Sequence, residues 1–171
     1  SDGAGGAIIA WLHSAGKGNR IYAQWIDSLG GVQWRNNGIL VSGVLGQPGR
    51  CGITADDSGG AIIMWEEVRA ATNNVYAQRV NRFGRLLWSA NGVPVSTLPN
   101  PGTTESVWPF MISDARGGAI IVWSDYHSGS KAYYVQRINA SGVLQWDSGG
   151  VLVNSSPGVT YIDNSNITSD N

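Results

Sequence analysis

A single cysteine, Cys51, stands in this chain of 171 residues. An intrachain disulfide is excluded, and cysteine usage leaves the redox compartment open. Charge is also scarce: 13% of residues are Asp, Glu, Lys or Arg, the formal net charge is −1, and Lys17 and Lys131 are the only lysines. So flat a balance gives no electrostatic footprint for nucleic acid or for an anionic membrane. No apolar run approaches the roughly 20 residues of a membrane-crossing helix, so membrane insertion is not expected. No stretch of useful length has the 3.6-residue period of an amphipathic helix. No secretory leader is read at the start, and Ser1 opens the chain without an initiator Met. It therefore reads as a mature chain or as a piece of a longer one.

What is abundant is glycine, 24 residues, and tryptophan, 8. With so few charges, the polar surface must come from Ser, Asn, Thr and Gln, a composition common outside cells. The tryptophans fall into a repeat. The phrase GGAIIAW at residues 5–11 returns as GGAIIMW at 59–65 and GGAIIVW at 117–123. Each copy is followed by a Tyr-containing strand pattern, an Asn/Asp-x-x-Gly turn and a second Trp. Trp11, Trp65 and Trp123 correspond, as do Tyr22, Tyr76 and Tyr134, then Gln24, Gln78 and Gln136, then Trp34, Trp88 and Trp146. From first Trp to Tyr is 11 residues and from Tyr to second Trp is 12 in every copy. Internal repetition of this kind is the signature of stacked supersecondary units.

Each unit reads as four strands. The first is GITA (52–55) or its counterparts MIS and NIT; the second is AIIMW and the third VYAQRV. The fourth is RLLW, closed by the Asn91-Gly92 turn. In the third strand Val75, Ala77 and Arg79 share one face and Tyr76, Gln78 and Val80 the other. Asn81-Arg82-Phe83-Gly84, with Asp27–Gly30 and Asn139–Gly142, follows the type I preference for Asn or Asp first and Gly fourth. The expected division is a first repeat over 1–51 (strands two to four and a link), a second over 52–109 and a third over 110–161. Residues 162–171 then read as the first strand of a following blade or as a closing strand. The expected fold is all-β: three four-stranded antiparallel repeats of about 55 residues, each a β-propeller blade. A blade cannot cover both of its own faces, so neighbours must. The six repeated Trp are expected to be packing residues in the seams.

The pattern DxxGGAIIxW, then YAQRV, NxxGxxxW and NGV, resembles the repeat of large secreted bacterial proteins of β-propeller type. The resemblance covers nearly all of the chain. It implies an extracellular or cell-surface setting and no agreed activity, so it transfers no catalytic residue.

Known propellers have typically 4–8 blades, and three leave two apolar faces open. Three arrangements cover them: the remainder of a longer propeller chain, a second copy closing a ring, or an open stack of copies. Chemistry is sparser. His13, Glu67 and Asp125 each stand two residues past a first Trp, which would place them at equivalent points on a rim. Tyr126 and His127 follow Asp125, and the links carry Glu105 and Trp108. A solvated rim is the plain reading. Trp25, Trp108 and Tyr126 are candidate stacking platforms for a glycan, and Glu67 with Asp125 a candidate hydrolytic pair. No metal-ligand spacing such as HExxH is present, and no metal or cofactor is expected. The turns beginning at Asp2, Asp57 and Asp114 offer too few oxygens for calcium and read as self-capped turns. The functional expectation is a non-enzymatic structural, adhesive or assembly module, with lectin-like glycan binding or glycoside hydrolysis as alternatives.

Overall fold

The computed structural model describes residues 4–16, 18–43, 46–70, 72–96, 108–125, 132–155 and 167–168. Among them are strands and turns and no helix. The strands make three antiparallel sheets, each running in chain order. The first sheet holds β1 (Ala7–Ala15), β2 (Gly18–Ile26) and β3 (Ile39–Leu40). The middle sheet holds β4 (Gln47–Ala55), β5 (Ala61–Arg69), β6 (Thr72–Val80) and β7 (Val93–Pro94). The last sheet holds β8 (Phe110–Ser113), β9 (Ala119–Asp125), β10 (Ala132–Ile138) and β11 (Val151–Ser155).

The repeated residues fix one register in all three. Trp11 faces Tyr22, Trp65 faces Tyr76 and Trp123 faces Tyr134 across the central hairpin. Their rings stack with centroids 6.0, 6.2 and 6.1 Å apart. The hairpin is followed by a turn at Asp27, Asn81 or Asn139. In each, the Gly N–H three residues on donates to the first residue's carbonyl, at 3.1, 2.9 and 2.9 Å. The first side chain also accepts from two backbone N–H groups of its own turn, as Asn81 does from Phe83 and Arg85. Gly30, Gly84 and Gly142 close these turns at φ of +84°, +75° and +80°, where a side chain would be strained.

The expected fourth strand is corrected. Residues 85–88 make one isolated bridge, Val80↔Leu86, and are no strand. The outer ladder forms after the Gly92 turn, where Val93 pairs with Ala77. The cause is the third-strand glutamine. Gln78 Oε1 accepts the Trp88 N–H at 3.0 Å, so a side chain takes the place of the next ladder carbonyl. The segment is led across the sheet edge instead of along it. The first strand of the middle sheet is also longer than expected. It starts at Gln47, inside the anticipated link, and breaks register between Pro48 and Cys51. The tail segment 162–171 lies outside the described residues except Ile167 and Thr168, which belong to no strand.

The core is two seams. Between the first and middle sheets lie Ile21, Ala23, Trp34, Ile39 and Val41 against Ala61, Ile63, Trp65, Tyr76 and Val80. Between the middle and last sheets lie Ile62, Met64, Val75, Ala77 and Val95 against Ala119, Ile121, Trp123, Tyr134 and Ile138. Alternation along each strand sends one set of side chains to each neighbour, which is why the second strand is apolar throughout. Trp65 and Trp123 are completely buried. Removing one such indole from water contributes about 4–6 kcal/mol as an upper bound. Each lies over a glycine of its own sheet: a Cβ on Gly92 would stand 2.6 Å from Trp65 Cη2, and one on Gly150 2.6 Å from Trp123 Cη2.

Candidate functional site

The three positions two residues past the first Trp do not form a rim. Glu67 lies inside β5 and Asp125 ends β9, and each is 1% exposed. In a strand, residues two apart share a face, so an acid at this spacing meets the indole beside it. Trp65 Nε1 donates to Glu67 Oε2 at 2.7 Å, and Trp123 Nε1 donates to Asp125 Oδ2 at 3.3 Å. Arg69 also donates to Glu67 through Nη2, donates to the Asn91 carbonyl at 2.7 Å and lies over the Tyr76 ring at 3.6 Å. The solvated reading of Glu67 and Asp125 is therefore replaced by a buried one. His13, the third member, is exposed and meets Tyr22 edge-on at 5.8 Å. Equivalent positions in the repeat thus have unlike surroundings.

The remaining candidates fall in separate places. Trp25 occupies the position of Arg79 and Arg137 and packs, half-buried, on the first seam. Trp108 is 48% exposed and stands at a cleft of about 440 Å³ with Arg50, Ile53, Met64, Phe110 and Met111. The Arg50 guanidinium lies 3.3 Å over its ring, so one face of that indole is engaged. Cys51 lines the same cleft, and burial pushes its thiol pKa up. Tyr126, His127, Glu105 and Asp2 lie outside the described residues.

The repeated glutamines are internal ties. Gln24 Nε2 donates to the Arg35 carbonyl at 2.9 Å, Gln78 Nε2 to that of Ser89 at 2.6 Å, and Gln136 Nε2 to that of Asp147 at 2.8 Å. Each Oε1 accepts two backbone N–H groups, those of Trp25 and Trp34, Arg79 and Trp88, or Arg137 and Trp146.

The Asp turns carry one correction. The capping residue of the middle turn is Asp56, whose Oδ1 accepts from Ser58 and Gly60. Asp114 does the same for Arg116 and Gly118. Asp57, the expected capper, reaches the last sheet and accepts the Ser113 hydroxyl at 2.8 Å. Arg79 pairs with Asp56 at 2.9 Å, and Arg137 with Asp114 at 2.8 Å. Burial alone would raise the Asp114 pKa. The Arg137 guanidinium and the two turn N–H groups outweigh it and hold the carboxyl below its ordinary value. No three of His, Cys, Asp and Glu converge on a metal-sized point among the described residues.

Sequence reasoning missed the contact that locks the seams. Trp34 Nε1 donates across the first seam to the Arg82 carbonyl at 3.0 Å, and Trp88 Nε1 crosses the second to the Ala140 carbonyl at 3.1 Å. Both indoles lie on the glycine of the next sheet's turn, Trp34 on Gly84 and Trp88 on Gly142. Arg79 Nη1 adds a bond to Ala140 at 2.9 Å. The fixed spacing of second Trp and Asn/Asp-x-x-Gly turn was the signal available.

The faces beyond the seams are open. Ile9, the counterpart of buried Ile63 and Ile121, is 49% exposed. Val151 and Val153, the counterparts of Ile39 and Val41, are 44% and 59% exposed, and Trp146 is 39% exposed. Compared with known proteins, the chain matches no family model and no curated sequence.

Proposed function

We propose that the three sheets are blades of β-propeller type and that the chain is a non-enzymatic structural, adhesive or assembly module of an extracellular or cell-surface protein. The observation that carries this reading is where the repeat's polar side chains go. Glu67 and Asp125 hold indoles, Gln24, Gln78 and Gln136 hold backbone, and Asp56 and Asp114 hold their own turns. A nucleophile or general acid must be reached by a substrate. Glu67 is instead closed in between Trp65 and Arg69. The outer sheets expose large apolar side chains, Ile9 on one and Val151, Val153 and Trp146 on the other, which favours contact with further sheets over recognition of a polar ligand.

A second reading, glycan recognition, is favoured by one feature. Trp108 and Phe110, 48% and 38% exposed, stand together at the Arg50 cleft, and exposed aromatics beside a cation are a common sugar-stacking arrangement. A glycan array separates the two. The module reading expects no binding above background for wild type. Binding that Trp108→Ala abolishes would replace it with the lectin reading.

A further inference from the structure

We propose that a second copy of this chain docks its last sheet on this chain's first sheet, with its Trp146 seated on the Asp27–Gly30 turn. This rests on the module reading and names the partner. Each internal seam joins two unlike faces. One face offers a pair of aliphatic residues at the outer strand and just past it, Ile39 and Val41 or Val93 and Val95, with the second Trp beside them. The other face offers the second-strand isoleucine, the stacked Trp–Tyr pair and the Asn turn. The indole then lies on the turn glycine and donates to the carbonyl of the turn's second residue, Arg82 or Ala140.

Both halves of a third such seam are present and unjoined. The last sheet offers Val151, Val153 and Trp146, whose indole N–H meets no carbonyl among the described residues. The first sheet offers Ile9, Trp11 and Tyr22, all at least partly exposed, and a turn in which Gly30 has nothing within 4 Å of a Cβ position. Leu29, at the tip of that turn, is 94% exposed. The carbonyl matching those of Arg82 and Ala140 belongs to Ser28. The charges on these faces are few and fit the same pattern: Arg20 lies opposite His13 on the first sheet, and Arg137 on the last is paired with Asp114 at 2.8 Å and holds the place from which Arg79 reaches the Ala140 carbonyl across an internal seam. The complement of each is the other, so the contact is heterologous and a second copy supplies it. Two copies making it at both ends would bring six sheets together, inside the range of closed propellers.

Ile9→Asp and Val153→Asp each block one end at an exposed position, and circular dichroism confirms that each variant is folded. Sedimentation velocity across a concentration series should give wild type heavier than one chain and each variant alone the mass of one chain. Mixing the two variants should restore a complex of two chains, because each retains the end that the other has lost. Adding Trp146→Ala to the Ile9→Asp chain should weaken that complex at least tenfold. Wild type of single-chain mass at every concentration overturns the proposal. So do wild-type chains that associate while the mixed variants stay apart, but that result leaves the module reading standing. A glycan-array signal lost in Trp108→Ala removes the module reading itself, whatever the mass.

Discussion

Ile63 and Ile9 hold the same place in two sheets, yet Ile63 has no exposed surface and Ile9 is 49% exposed. The same contrast runs through the first Trp of each repeat. Trp65 and Trp123 are fully buried, while Trp11 is half-exposed over the same Tyr partner. The middle sheet has a neighbour on each side, and the outer sheets have one. Burial in this fold is thus set by the neighbour and not by the sheet's own sequence, which writes a two-sided sheet each time. That is the energetic logic of repeat architectures, in which interfaces between units carry much of the stability.

Substitutions at matched positions test this contrast. The largest effect is expected at the first-seam Trp. Trp65→Ala should destabilise by about 3–5 kcal/mol, and Trp11→Ala by less than half as much, both read by urea denaturation. Equal losses would mean that neighbour contact is not what differs. The acid two residues on comes next. Glu67→Ala takes the acceptor from the buried Trp65 indole N–H and one partner from Arg69, and should cost about 3 kcal/mol. His13→Ala at the matched exposed position should stay within about 0.5 kcal/mol. The glutamines are the control. Their bonds lie within a sheet, so Gln24→Ala, Gln78→Ala and Gln136→Ala should each cost about 2 kcal/mol, with little difference among them.

The smallest effect concerns acid. The folded-state pKa of Asp114 lies below its ordinary 3.8. Its pairing with Arg137 therefore stabilises fully above that value, and the contribution fades as pH falls through the folded value. Asp114→Asn should be less stable than wild type at neutral pH, with the gap closing in that acid window. A gap that is constant with pH would contradict the assignment.

The sheets themselves were legible in the sequence because Trp, Tyr and the Asn/Asp-x-x-Gly turn recur at fixed spacing and each has one structural task. The fourth strand was not. RLLW is as apolar as a ladder strand, and nothing in its own residues shows that the Gln78 side chain, ten residues earlier, will capture the Trp88 N–H. The candidate rim failed for a related reason. Glu67 and Asp125 look solvated when read as lying past the strand, but both belong to their strands, β5 and β9, and two-residue periodicity turns each carboxylate onto the indole beside it. The Trp-x-acid spacing in two of three repeats was the trace of it, and His13 in the third concealed it. The Arg50–Trp108 contact joins strand β4 to the approach to β8, between repeats. No pattern within one repeat carries it.

The most direct measurement is hydrogen exchange at the indole N–H groups, followed by NMR on tryptophan-labelled protein at a concentration where chains are single. The three second-position tryptophans differ only in whether a next sheet is there. Trp34 and Trp88 should be protected, since each donates across a seam, and Trp146 should exchange freely. Protection of all three alike, or of none, would contradict the account of the seams.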